Sequence, residues 1–115
     1  MPSTTLYKKW DVVLVSFPFT HFTSDKRRPG VIVSPDNFNS GKDVVIGFVT
    51  SQLQVVPRIG DYTIRRWKEA GLPKPSMVRM KFATIDKSII VKQFGRLVTE
   101  DQIEIRNNLL SFFGT

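Results

Sequence analysis

Short apolar runs, rich in β-branched residues and broken by Gly, Pro, Asn, Asp and Ser, dominate the chain. A helical apolar period appears only near its end. Asp11–Phe17 is apolar on both of its alternating faces, which predicts a strand covered on two sides, and Pro18 stops it. Gly30–Ser34 reads as a second strand and Pro35–Gly41 as a turn-rich connection. Asp43–Val49 continues as a third strand ending at Thr50, with Gly47 marking a bulge or a close backbone approach. Leu53–Gly60 is a loop, Asp61–Ile64 a short strand, and Arg65–Ala70 a brief helical segment closed by Gly71 and Pro73. Pro75–Met80 alternates Val78 and Met80 against Met77 and Arg79, as a strand does. Phe82–Lys87 then turns into an Ile89–Leu97 strand. Thr99 and Gln102 have the spacing of a capping box, and Ile105, Leu109, Phe112 and Phe113 make one apolar stripe on a helix ended by Gly114.

About five or six short strands plus a terminal helix predict a mostly β fold with α, a small curved barrel or half-barrel. A chain of 115 residues has room for one core, so residues 1–115 are expected to form a single domain. So small a core would gain from association through an apolar face, such as a strand edge or the last helix.

Composition narrows the class. The chain is 41% hydrophobic with nine Phe, which argues against disorder. It has no cysteine, so disulfides and thiolate zinc sites are excluded. No apolar run approaches the roughly 20 residues of a membrane helix, and the first residues lack a secretory apolar segment; a cytoplasmic protein is expected. The formal charge of +7 points to a polyanionic partner. Between Arg58 and Lys81 seven cations face two acids, without the basic amphipathic helix that a membrane surface would favour.

The densest chemistry is Lys26-Arg27-Arg28-Pro29 running into the Gly30–Ser34 strand. Pro29 pushes Arg28 toward an extended backbone, and a guanidinium held on a strand offers phosphate a planar fork of donors. One His, no Cys and scattered acids give no spacing for zinc or for paired magnesium ions, so no metal or other cofactor is expected. Phosphate-loop and dinucleotide motifs are absent. RNA offers a route that uses no metal. Its 2′-hydroxyl can attack the adjacent phosphate and expel the 5′-oxygen, given a proton acceptor, a proton donor and cations for the phosphorane. DNA lacks the 2′-hydroxyl and would be spared.

Lys26-Arg27-Arg28-Pro29-Gly30-Val31-Ile32-Val33-Ser34 resembles the basic-Arg-Pro-apolar signature of the PemK/MazF toxin family. Trp10–Val15, Phe17-Pro18-Phe19-Thr20, Val49-Thr50-Ser51-Gln52, Trp67–Leu72, Pro75–Arg79, Thr84–Lys87 and Gly95-Arg96-Leu97 are similar to further blocks of that family, in order. The resemblance implies an SH3-like barrel of the CcdB/PemK type with a C-terminal helix, and a homodimer. It implies a metal-independent endoribonuclease that cuts single-stranded RNA at short sequences, leaving a 2′,3′-cyclic phosphate and a 5′-hydroxyl. It also implies an acidic antitoxin partner drawn to the basic region. By motif, Arg28 acts at the scissile phosphate, Thr50 hydrogen-bonds there with Ser51 beside it, and Arg79 matches an arginine that serves some members as general acid. Lys26, Arg27, Gln52, Arg58 and Lys81 are then RNA contacts. Two positions depart from the family: Lys81 stands where some members carry an acid, and His21 follows the Phe-Pro-Phe-Thr stretch where an acid is common. Histidine titrates near neutrality and could take a proton-transfer role, so these two departures leave open which residue is the base. The alternative is a non-catalytic barrel that binds nucleic acid or a protein target such as gyrase.

Overall fold

In the computed structural model, residues 6–17, 26–54 and 56–114 are described. His21, with the rest of the Phe-Pro-Phe-Thr stretch after Phe17, lies outside them. The order is β1 (Asp11–Phe17), β2 (Lys26–Ile32), α1 (Asp36–Asn39), β3 (Asp43–Thr50), β4 (Tyr62–Thr63), β5 (Met77–Asp86), a 3-10 turn at Lys87–Ile89, β6 (Ile90–Arg96) and α2 (Thr99–Phe112). The strands form one antiparallel six-stranded sheet in the order β4-β5-β3-β2-β1-β6. This is the expected mostly β fold with a C-terminal helix. The sheet is not a closed cylinder, since β4 and β6 remain its two edges.

Both faces are buried, as the double apolarity of β1 predicts. Val12, Val31 and Val49 join Trp10, Ile64, Leu72, Val78, Leu97 and Ile105 in one layer. Val13, Val15, Ile32, Val44, Ile46 and Ile85 form the other. Each such side chain contributes about 1.5–3 kcal/mol when fully buried, so two thin layers hold a sheet that one could not. β3 carries the expected irregularity, a register shift against β5 between Gly47 and Val49.

The structure corrects several expectations. β2 begins at Lys26, not Gly30, and runs Lys-Arg-Arg-Pro-Gly-Val-Ile with its first half exposed and its second half buried. A proline is tolerated there because pairing with β3 starts only at Gly30; at Pro29 the strand has a neighbour on the β1 side alone, opposite Leu14. The Pro35–Gly41 connection contains a single helical turn. β4 shortens to Tyr62–Thr63, and β5 runs unbroken from Met77 to Asp86 where a turn was expected after Met80. The Arg65–Ala70 segment is a set of turns, closed as expected at Gly71: Leu72 N–H donates to the Trp67 carbonyl and Gly71 N–H to that of Lys68.

The capping box does not form. Val98 is the N-cap and no side chain caps the helix, so Asp101 falls at the third helical position. Fully buried there, its carboxylate accepts from the Tyr62 hydroxyl at 2.5 Å and from the backbone N–H groups of Arg65 and Arg66 at 3.1 and 3.0 Å. That bond, after burial itself, pushes the Tyr62 phenol far above its ordinary range. The apolar stripe is only partly a core element. Ile105 is buried, but Phe112 and Phe113 are 42% and 62% exposed and meet edge to face, with Phe82 beside them.

Candidate functional site

Strand pairing carries the basic cluster to one end of the sheet. Arg28 stands opposite Val15, Arg27 opposite Ser16 and Lys26 opposite Phe17. All three cations are exposed, and among the described residues no carboxylate pairs with them. Thr50 ends β3 and turns into Ser51-Gln52. Arg27, Arg28, Thr50, Ser51 and Gln52 line one cleft of about 340 Å³. The start of β2 and the end of β3 therefore bring together five of the residues singled out by motif. Lys26 lies next to this cleft in sequence without lining it.

The Thr50 hydroxyl oxygen accepts the Gln52 N–H at 3.1 Å. That leaves the hydroxyl hydrogen to donate, which suits a phosphate oxygen held by the arginines. The opposite wall comes from Leu72, Pro73, Lys74 and Ser76, with Phe94 of β6. Lys74 was not singled out from the sequence beyond its share of the basic region. Its flanking prolines, Pro73 and Pro75, were a usable signal, since they stiffen its backbone as Pro29 stiffens that of Arg28.

This wall sits close to β6 because two glycines let backbone meet backbone. Gly71 has φ +87°, and a β-carbon there would strike the Phe94 carbonyl; one on Gly95 would strike the Ala70 carbonyl.

Arg58, Arg79 and Lys81 line a second cleft, of about 440 Å³, with Ile59, Asp61, Met80 and Phe112. It shares no lining residue with the first. Arg79 lies one residue beyond Val78, the partner of Val49, so β3, which lines the first cleft, pairs with β5, which lines the second. Here the arginine is already engaged: its Nη2 donates to Asp61 Oδ2 at 3.2 Å. Lys81 extends its amine to 5.5 Å from the Phe48 ring centre. No group of three or more metal-ligating side chains converges among the described residues, and none of their helices is long and apolar enough to cross a membrane.

A family model described as PemK-like, MazF-like toxin of type II toxin–antitoxin systems matches residues 8–113. Solved structures share the fold. A MazE–MazF complex from Deinococcus radiodurans superposes with a TM-score of 0.77 at 19% identity, covering 97% of this chain and 99% of the other. MazF from the same organism gives 0.72 at 20% identity, with 97% and 100% coverage. A mycobacterial endoribonuclease bound to its cognate antitoxin gives 0.74 at 16% identity, covering 96% of each. No curated protein sequence gives a significant match.

Proposed function

The chain belongs to the PemK-like, MazF-like family of type II toxins, and on that premise we propose that it is a metal-independent endoribonuclease acting on single-stranded RNA. The observation that carries this reading is that Arg28 and Thr50, from separate strands, line a single cleft. In the proposed reaction the 2′-oxygen bonds to phosphorus and the bond from phosphorus to the 5′-oxygen breaks, giving a 2′,3′-cyclic phosphate and a 5′-hydroxyl. The Arg28 guanidinium and the Thr50 hydroxyl stabilise the charge that gathers on the phosphoryl oxygens. The 2′ proton passes to a base, for which His21 is the candidate, and the departing 5′-oxygen takes up a proton from water; Arg79, the general acid that the motif implies, lines the other cleft and is engaged by Asp61. Arg27, Ser51, Gln52 and Lys74 hold flanking nucleotides, and Lys26, Arg58 and Lys81 extend the basic surface.

The partner in this reading is an acidic antitoxin, suited to a chain of charge +7; the mycobacterial endoribonuclease is bound to its cognate antitoxin and the Deinococcus radiodurans MazF to MazE. The exposed Phe112 and Phe113 support association with a second copy into a homodimer. The test is incubation with a long single-stranded RNA in EDTA, followed by mapping of new 5′ ends. Cleavage at recurrent short sequences with 5′-hydroxyl ends is expected. RNA that stays intact, or is cut only after magnesium is added, overturns the proposal; binding without product would favour the gyrase-type or nucleic-acid-binding barrel.

A further inference from the structure

Among the described residues, Asp61 alone carries a buried side-chain polar atom without a hydrogen-bond partner. Its side chain is only 6% exposed. Oδ2 accepts the Arg58 N–H at 2.8 Å and the Arg79 guanidinium at 3.2 Å, while Oδ1 is buried without a hydrogen-bond partner. An unpaired carboxylate oxygen in so dry a position is costly, and it persists only where surrounding structure holds the group in place. That structure is evident. The Asp61 N–H bonds back to the Arg58 carbonyl, Gly60 between them has φ +90°, and a β-carbon on Gly60 would run into Met80 and lie against Phe112. The turn is thus wedged between β5 and the end of α2.

Two roles for this carboxylate are chemically distinct. As a proton acceptor it would need an accessible oxygen, and it has none: one oxygen is engaged twice and the other is covered. As a holder of Arg79 it is well placed. A guanidinium carries five donors, and the contact with Asp61 uses one. The rest of Arg79 lines a cleft with Arg58 and Lys81, in which Asp61 is the one acidic residue.

We infer that Asp61 is a positioning residue, which aims Arg79 so that Arg79, Arg58 and Lys81 form a second phosphate-binding site for the RNA strand, beside the Arg28–Thr50 cleft. This rests on the proposed RNA-binding function but not on cleavage. The site grips the backbone at a cleft separate from that of the reacting phosphate. Its contribution is therefore to affinity and register, not to the bond-breaking step.

Charge and positioning make opposite predictions, which makes the inference testable. Removing a negative charge from a basic cleft raises its attraction for a polyanion. Removing the holder of Arg79 lowers it. The probe is a fluorescent single-stranded RNA with every 2′-hydroxyl methylated, which cannot be cut, titrated against the full chain over a range of salt. Arg79→Ala should weaken binding about three- to tenfold and reduce the salt slope by about one. Asp61→Ser, too short to reach Arg79, should weaken it to the same degree with the same loss of slope, and the double variant should be no weaker than Arg79→Ala alone. Its hydroxyl still offers the Arg58 N–H an acceptor, which preserves the turn and guards against loss of fold. Tighter binding by Asp61→Ser would reduce Asp61 to a counter-charge and overturn the inference. So would additive losses in the double variant, or an Arg79→Ala protein that binds as the parent does. Failure of the ribonuclease reading appears elsewhere, as RNA left intact in EDTA by the unmodified chain.

Discussion

The two basic clefts hold the same kind of side chain in different states. Around Arg28 the guanidinium is exposed and, among the described residues, has no carboxylate beside it; Thr50 across the cleft keeps a hydrogen to give. Around Arg79 the guanidinium is mostly buried and tied to a carboxylate that is itself tied to a turn. A cation left without a protein partner is available to charge that develops during a reaction, when each donor gains most. A cation already paired is oriented, and its attraction for a new anion is diminished by the charge it already faces. The contrast assigns chemistry to the first cleft and grip to the second.

The sharpest way to break that assignment is Arg28→Ala. Loss of one donor to a developing oxyanion typically costs about 10²- to 10³-fold in turnover, and that is the expected fall in initial cleavage rate. Since Arg28 is exposed, the melting temperature should stay nearly unchanged. Turnover within a fewfold of the parent would move the chemistry away from this cleft. A smaller effect is expected at Thr50. Thr50→Val removes the hydroxyl and should lower turnover on the order of tenfold, the scale of one lost hydrogen bond to a charged group. Thr50→Ser should restore most of it, and equal rates for the two variants would show that the hydroxyl is idle. The smallest effect, on activity, concerns the support beneath the second cleft. Tyr62, next to Asp61, has its phenol pushed up by burial and by Asp101. A raised folded value means that its stabilising contribution is complete below the ordinary tyrosine range near pH 10 and is lost as pH climbs from there through the raised folded value. In an alkaline absorbance titration one of the two tyrosines should therefore ionise only together with unfolding. Two independent phenols titrating near pH 10 would mean that the Tyr62–Asp101 contact does not hold β4 to α2.

Much of this was legible in the sequence where one residue's chemistry decides the outcome. Both β1 and β3 follow from apolar runs with clear stops, and Arg28 and Thr50, singled out by family resemblance, line one cleft. Elsewhere tertiary context prevailed. β2 extends through three cations and a proline because β1 is long enough to template it, which no local pattern encodes. Thr99 lost its capping role because Asp101 was needed by the N–H groups of Arg65 and Arg66, a demand set by residues 35 and 36 positions away. Phe112 and Phe113 have helical spacing but overrun the sheet beneath them. Asp61 was invisible as a site residue, since an acid before a short strand is ordinary until its burial and its arginine are seen.

The contact between Gly71 and Gly95 works as a gauge block for the first cleft. Leu72 and Pro73 follow one glycine, Phe94 precedes the other, and all three line the cleft. With no side chain interposed, the gap between these walls is set by main-chain atoms, whose bulk cannot vary from rotamer to rotamer. Even one methyl group at either glycine would shim the walls apart. The resulting enzyme would be expected to keep its arginine and its hydroxyl yet admit a different range of nucleotides, so that its choice of target, more than its speed, would drift.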